Sequence, residues 1–144
     1  MIIDAQTPGE QVGVLIKQAQ ALLNQRMDEV LRPLGLTVSQ YACLQTLHDD
    51  PGITGSELAR RVFVSRQSTN VLLQSLEKRG LVERSEDPGP RRERATLLTD
   101  EAVVLTSEAR AAVAEVVATM TGPLQRGDLE QLRALLAACR DALA

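Results

Sequence analysis

Aromatic side chains are almost absent: the chain has one Tyr, one Phe and no Trp in 144 residues. Histidine occurs once, at His48, and cysteine twice, at Cys43 and Cys139. These shortages exclude a good deal of chemistry. A lone His has no second imidazole with which to share a metal. Cys43 lies five residues from it, which is not a same-face spacing on a helix. The two cysteines lack metal-site spacing and are expected as free thiols, small residues of the core. No nucleophile–base–orienter set, phosphate loop or cluster of ligand side chains is present, so an enzyme is not expected and no cofactor is implied. Long apolar runs are missing too: none approaches the roughly 18 residues of a membrane span. The start, MIIDAQTPGEQ, lacks the basic and apolar segments of a signal peptide, so a cytoplasmic protein with no membrane partner is expected.

What is present suits one globular domain, at 44% hydrophobic and 24% charged residues. The net charge of −3 speaks at first against a nucleic-acid partner. Its distribution reverses that. Residues 51–99 carry +3 and the remainder −6. A basic segment on an acidic frame is the asymmetry of a protein that reads nucleic acid with one part only. Fourteen of the sixteen basic residues are Arg, the side chain suited to bidentate phosphate and guanine contacts.

Residues 54–99 organise the rest. Thr54 and Glu57 have capping-box spacing, and Leu58, Ala59 and Val62 then share a helical face. The tripeptide Val62-Phe63-Val64 is a poor helix continuation, so the chain turns. Ser65 is a good N-cap for a second helix, in which Thr69, Leu72, Leu73 and Leu76 form the apolar face. Gly80 supplies a left-handed stop. Residues 81–84 and 95–98 read as short strands, with a one-residue third strand near Ile53. The loop between them is rich in turn formers and ends in Arg91, Arg92 and Arg94. This is the pattern of a winged helix-turn-helix. A helix fits the major groove of duplex DNA, and Arg, Gln and Asn on it reach base edges. A basic hairpin carries Arg to the minor groove. The candidate DNA-binding residues are Ser65, Arg66, Gln67, Ser68, Asn70, Val71 and Gln74 on the helix, with Arg91, Arg92 and Arg94 on the wing, Arg92 foremost.

The segment SELARRVFVSRQSTNVLLQSLEKRGLVER, followed by the wing and Leu98-Thr99, resembles the MarR family of bacterial transcriptional regulators. The resemblance extends less specifically over nearly the whole chain. It implies an obligate homodimer that binds palindromic promoter DNA, most often as a repressor, and releases it when a small, often phenolic, effector binds. Two departures stand out. Pro90 occupies the place of a wing Asp that usually fixes the Arg matched by Arg92, so either Asp87 or the two wing prolines would hold this wing. Val71 stands where the recognition helix often has a basic residue.

The expected architecture is mainly α with a small hairpin, an α+β chain. Residues 1–9 are expected as a loose arm and 10–143 as one domain. Within it, 10–35 and 121–143 are dimerisation helices, 37–99 the DNA-binding lobe with its helix-turn-helix at 54–79 and wing at 82–99, and 100–120 a connecting helix. The first helix, from Glu10 to about Arg32, keeps its apolar spacing over several turns until Pro33 and Gly35 end it. Thr37 with Gln40 is a second capping box. Thr99 or Asp100 opens the connecting helix, whose face is Ala102, Leu105, Ala109, Val113, Val116 and Met120. Asp128, with Gln131 at the box position, is expected to cap the last helix, striped by Leu129, Leu132, Leu136, Cys139 and Leu143. Two other readings remain open: a winged-helix protein-interaction module without DNA binding, favoured by Val71 and Pro90, and a regulator that senses oxidants through cysteine.

Overall fold

The computed structural model describes residues 5–62, 65–85 and 95–144. The order is α1 (Pro8–Leu31), a 3-10 turn (Arg32–Leu34), α2 (Val38–Asp49), α3 (Gly55–Val62), α4 (Arg66–Lys78), β1 (Val82–Arg84), β2 (Thr96–Leu98), α5 (Asp100–Thr121) and α6 (Arg126–Leu143). The mainly helical class and the small antiparallel hairpin are as expected.

The helices begin where side chains can satisfy their first amides. Thr37 Oγ1 accepts from the Gln40 amide at 3.1 Å, and the Gln40 side chain accepts from the Thr37 amide at 3.0 Å, a complete capping box. Thr54 Oγ1 accepts from the Glu57 amide at 3.3 Å. Two starts differ from the sequence reading. α1 begins at Pro8, not Glu10, under a capping box formed by Thr7 and Glu10. Pro8-Gly9 is therefore no break: proline at the first helical position gives up an amide that would have had no partner, and its fixed φ already suits the helix. α6 begins at Arg126, with Gln125 as its cap residue. Asp128 lies inside the first turn, where its carboxylate accepts from the Gln125 amide at 3.4 Å, so it is not the cap itself.

The core lies within the lobe. Leu31, Leu36, Leu44, Leu47, Leu58, Leu73, Leu76, Leu81 and Val82 are buried, with Ala102, Ala109 and Val113 of α5 against them. α5 thus roots in the lobe at one end and leaves it at the other. Thr106 is also buried, beside Leu105, which packs partly buried against the core as expected. Met120, expected on the buried face, is exposed, because the outer half of α5 has left the core.

Val82 pairs with Leu98, Glu83 with Leu97 and Arg84 with Thr96. The sheet has two strands rather than three. The Ile53 region still touches it: the Thr96 amide donates to the Ile53 carbonyl and the Gly52 amide to the Thr96 carbonyl, each at 3.2 Å.

The frame outside the lobe differs in kind. Residues 8–22 of α1 are exposed, with Leu15 and Leu22 each at 62%. On α6 every residue is exposed except Ala137, which is partly buried. Cys139 is therefore exposed on the single chain, contrary to the expectation of a core residue, because no described element packs closely over the α6 stripe. Cys43 is buried as expected, and burial pushes its thiol up to about 11.

Candidate nucleic-acid interface

The local sequence fixes α4 at both ends. Ser65 Oγ accepts from the Ser68 amide at 3.1 Å and donates to the Ser68 hydroxyl at 2.9 Å. Ser65 and Ser68 are thus exposed but serve the cap. At the other end Gly80 takes φ 73°, a conformation that glycine adopts without steric cost. Its amide donates to the Glu77 carbonyl at 3.0 Å and the Leu81 amide to the Leu76 carbonyl at 2.9 Å. Leu76 and Leu81, both buried, complete this Schellman end.

Three contacts anchor this end to the rest of the chain. The Thr99 hydroxyl donates to the Gly80 carbonyl at 2.8 Å and lies 3.3 Å from the Leu81 carbonyl, while accepting from the Ala102 amide at 3.3 Å. One side chain therefore joins the end of α4 to the start of α5. Arg79 reaches back to donate to the Gly35 carbonyl at 2.7 Å, in the corner before α2. Arg84, half-buried on β1, places Nε 3.6 Å from Glu77 Oε2, tying the hairpin to the last turn of α4. The sequence reading assigned Thr99 only as a helix start, and missed Arg79 and Arg84 as ties. These contacts join residues far apart in the chain, where no spacing rule reaches.

Thr69, Leu73 and Leu76 face the core, and Arg66, Gln67, Asn70, Val71 and Gln74 are all exposed. Gln67, Asn70, Val71 and Gln74 are therefore brought together on one surface, and Arg66 is exposed at its N-terminal edge. At about 100° per residue, Gln67, Val71 and Gln74 point away from the core with Asn70 on the flank, while Arg66, exposed in the first turn, stands nearly in line with Leu73. Asn70 leans toward α3: its Oδ1 is 3.7 Å from where a Cβ on Gly55 would stand. Phe63, Val64, Pro90 and the wing arginines Arg91, Arg92 and Arg94 lie outside the described residues.

Two recesses flank α5. A cavity of about 60 Å³ between α2 and α5 is lined by Gln45, His48, Thr106, Ser107 and Arg110. The Thr106 hydroxyl, on a residue only 2% exposed, has no hydrogen-bond partner among the described residues. Burial raises the pKa of nearby Tyr41, opposed by the charge of Arg110. A larger cleft of about 290 Å³, between α1 and α5, is almost wholly apolar, with Leu22, Leu23, Val116 and Met120 in its walls. Among the described residues no group of three His, Cys, Asp or Glu is arranged to hold a metal. No helix among them is long and apolar enough to cross a membrane.

A short helix, a second helix separated from it by three residues and polar over most of its outer face, and an attached pair of antiparallel strands define the class: a winged helix-turn-helix. Comparison with known proteins narrows it. The MarR family model matches residues 34–93. The HTH-type transcriptional repressor Rv2887 of Mycobacterium tuberculosis is 36% identical over 119 residues, covering 80% of this chain and 86% of the relative. The chain belongs to the MarR family of transcriptional regulators. Among solved structures it is similar to the transcriptional repressor CouR of Rhodococcus jostii RHA1 bound to a 23-mer DNA duplex. That likeness has a TM-score of 0.83 at 27% identity, over 97% of this chain and 99% of the other. It is similar also to Rv2887 in complex with salicylic acid, with a TM-score of 0.72 at 28% identity, over 96% and 99% of the two chains.

Proposed function

We propose that this protein is a homodimeric, sequence-specific repressor of transcription that acts by binding duplex DNA, not by catalysis, and works in the cytoplasm. The observation that carries the reading is α4. Its outer face is polar, opposite a fully buried face, and it is held at both ends. Arg66, Gln67, Asn70, Val71 and Gln74 face the major groove, while Arg91, Arg92 and Arg94 grip the flanking backbone and minor groove. The relatives support this: CouR and Rv2887 are both seen on DNA.

The dimer follows from the frame. Among the described residues α6 leaves Leu129, Leu132, Leu135 and Leu136 exposed, and the first half of α1 does likewise. Exposed apolar surface on this scale marks an interface. A second copy supplies the cover, and its two-fold axis places two α4 helices on a palindrome, about 34–36 Å apart for successive half-sites.

Regulation follows from where α5 runs. A small effector lodged between the lobe and the dimer helices shifts the spacing of the two α4 helices, provided that it binds the two arrangements unequally. Phenolic or aromatic acids are the class favoured by the complex of Rv2887 with salicylic acid. A cavity lined by Arg110, His48 and the unpartnered Thr106 hydroxyl suits the polar end of such a molecule.

Titration of labelled duplexes with the purified protein tests the reading. The expected result is saturable binding to a palindromic site that survives competition by random duplex at moderate salt. Equal affinity for all duplexes, or none, overturns it. An aromatic acid that releases the DNA and raises the melting temperature identifies the effector.

A further inference from the structure

The outward face of α4 is polar except at its middle. Among the described residues of the lobe, only Val71 and Leu97 are large apolar side chains left exposed, Val71 at 61%. Elsewhere such residues crowd onto α1, α5, α6 and the loop before α6. A scattered apolar side chain on a surface needs no explanation. The placing of this one does. Val71 lies one helical turn from Gln67 and one from Gln74, diametrically opposite Thr69, Leu73 and Leu76. Its neighbours carry the donors and acceptors that base edges require, and it carries none. It also costs the helix some stability relative to a straight-chain residue at an exposed site.

The major groove offers one apolar feature among its donors and acceptors, the C5 methyl of thymine. We propose that Val71 is a specificity-determining residue that reads a thymine through this methyl group. The inference rests on the DNA-reading function above and goes further by naming the base. The branched side chain is stiff about χ1, so its two methyls are held in place before DNA arrives. Gln67 and Gln74 bracket it and suit adenine, which presents N6 and N7 to a side-chain amide. The span from Gln67 to Gln74 is about 10 Å, or roughly three base pairs. Each half-site therefore carries a thymine within that span. A hydrated basic side chain at this position would favour guanine, so the valine redirects the target rather than weakening recognition in general.

The experiment uses the full-length protein. A preferred duplex is first selected from a random-sequence pool. Each thymine is then replaced in turn by deoxyuridine, which keeps every hydrogen-bonding group and removes only the methyl. Binding is followed by fluorescence anisotropy. One symmetry-related pair of thymines is expected to respond, by about fourfold for one replacement and about fifteenfold for both, as loss of a buried methyl group implies. In V71A the penalty at that pair vanishes while those at other positions stay. The proposal is overturned if a selected duplex binds tightly yet no replacement weakens it, or if V71A keeps the full penalty. If no duplex is enriched, the DNA-reading function itself fails, a result distinct from either. Val71 is exposed, and an unchanged melting temperature of V71A separates contact from folding.

Discussion

The lobe and the outer frame are built from the same kind of helix and solve opposite problems. In the lobe, α2, α3 and α4 each turn an apolar face onto a common core. On α6 a stripe of equal quality is left exposed among the described residues. The lesson is that an apolar stripe tells which face must be covered, not by what. The lobe closes its core within one chain, whereas the frame leaves its stripe exposed among the described residues, and a second copy is the cover proposed for it.

The most damaging test of that contrast is to charge the uncovered stripe. The double variant Leu132→Asp, Leu136→Asp is expected to sediment as a monomer and to lose about a hundredfold or more in affinity for a palindromic duplex, the scale on which linked binding sites reinforce each other. A variant that remains dimeric with full affinity refutes the frame as the joining surface. Next is truncation inside the lobe. Leu44→Ala or Leu76→Ala, each at a fully buried site, should cost about 2–5 kcal/mol in denaturant unfolding. The same truncation at Leu15 should instead appear as a raised dimer dissociation constant, with little loss within the lobe.

A smaller effect belongs to the junction of the two regions. Thr99→Val removes the hydroxyl that caps α5 and binds the Gly80 carbonyl. A loss of about 1 kcal/mol is expected from the cap, read from thermal unfolding at fixed protein concentration.

The cysteines give the gentlest probe. Burial raises the Cys43 thiol to about 11, so at pH 8 it is held as the unreactive neutral thiol within a closed core. It should resist alkylation at every protein concentration until the chain unfolds. Cys139 should react in the native protein, and faster on dilution as subunits separate. The pH dependence of stability has a definite sign. Because the folded state keeps the Cys43 proton to a higher pH than the unfolded chain, stability falls as pH rises above the ordinary thiol value toward 11. Cys43→Ala should flatten that decline.

Much of the lobe was legible because its signals are local. Thr37 with Gln40, Thr54, Ser65 and Gly80 each act within a few residues of themselves, and each stands where expected. The ends of the frame were harder. Pro8-Gly9 suggests a break until Thr7 and Glu10 are seen to enclose it, and Gln125 is not a side chain that favours the capping position. For the reading surface, helical spacing alone sorted Gln67, Asn70, Val71 and Gln74 from Thr69, Leu73 and Leu76. It could not show that Arg79 meets the corner at Gly35, 44 residues away, or that Arg84 meets Glu77. Those contacts depend on how elements pack after they form. The fate of Cys139 lay beyond reach for a similar reason, since periodicity put it on a stripe but could not name its cover.

The Thr99 hydroxyl has one more consequence. α5 is 22 residues long, a rod of about 33 Å. Its near end is pinned through Thr99 to the last carbonyls around Gly80, and its far end points toward the frame. Each degree through which the rod swings displaces one end against the other by roughly 0.6 Å at that length. With so short a linkage at the wrist, a turn of the rod and the tilt of α4 are tied to each other.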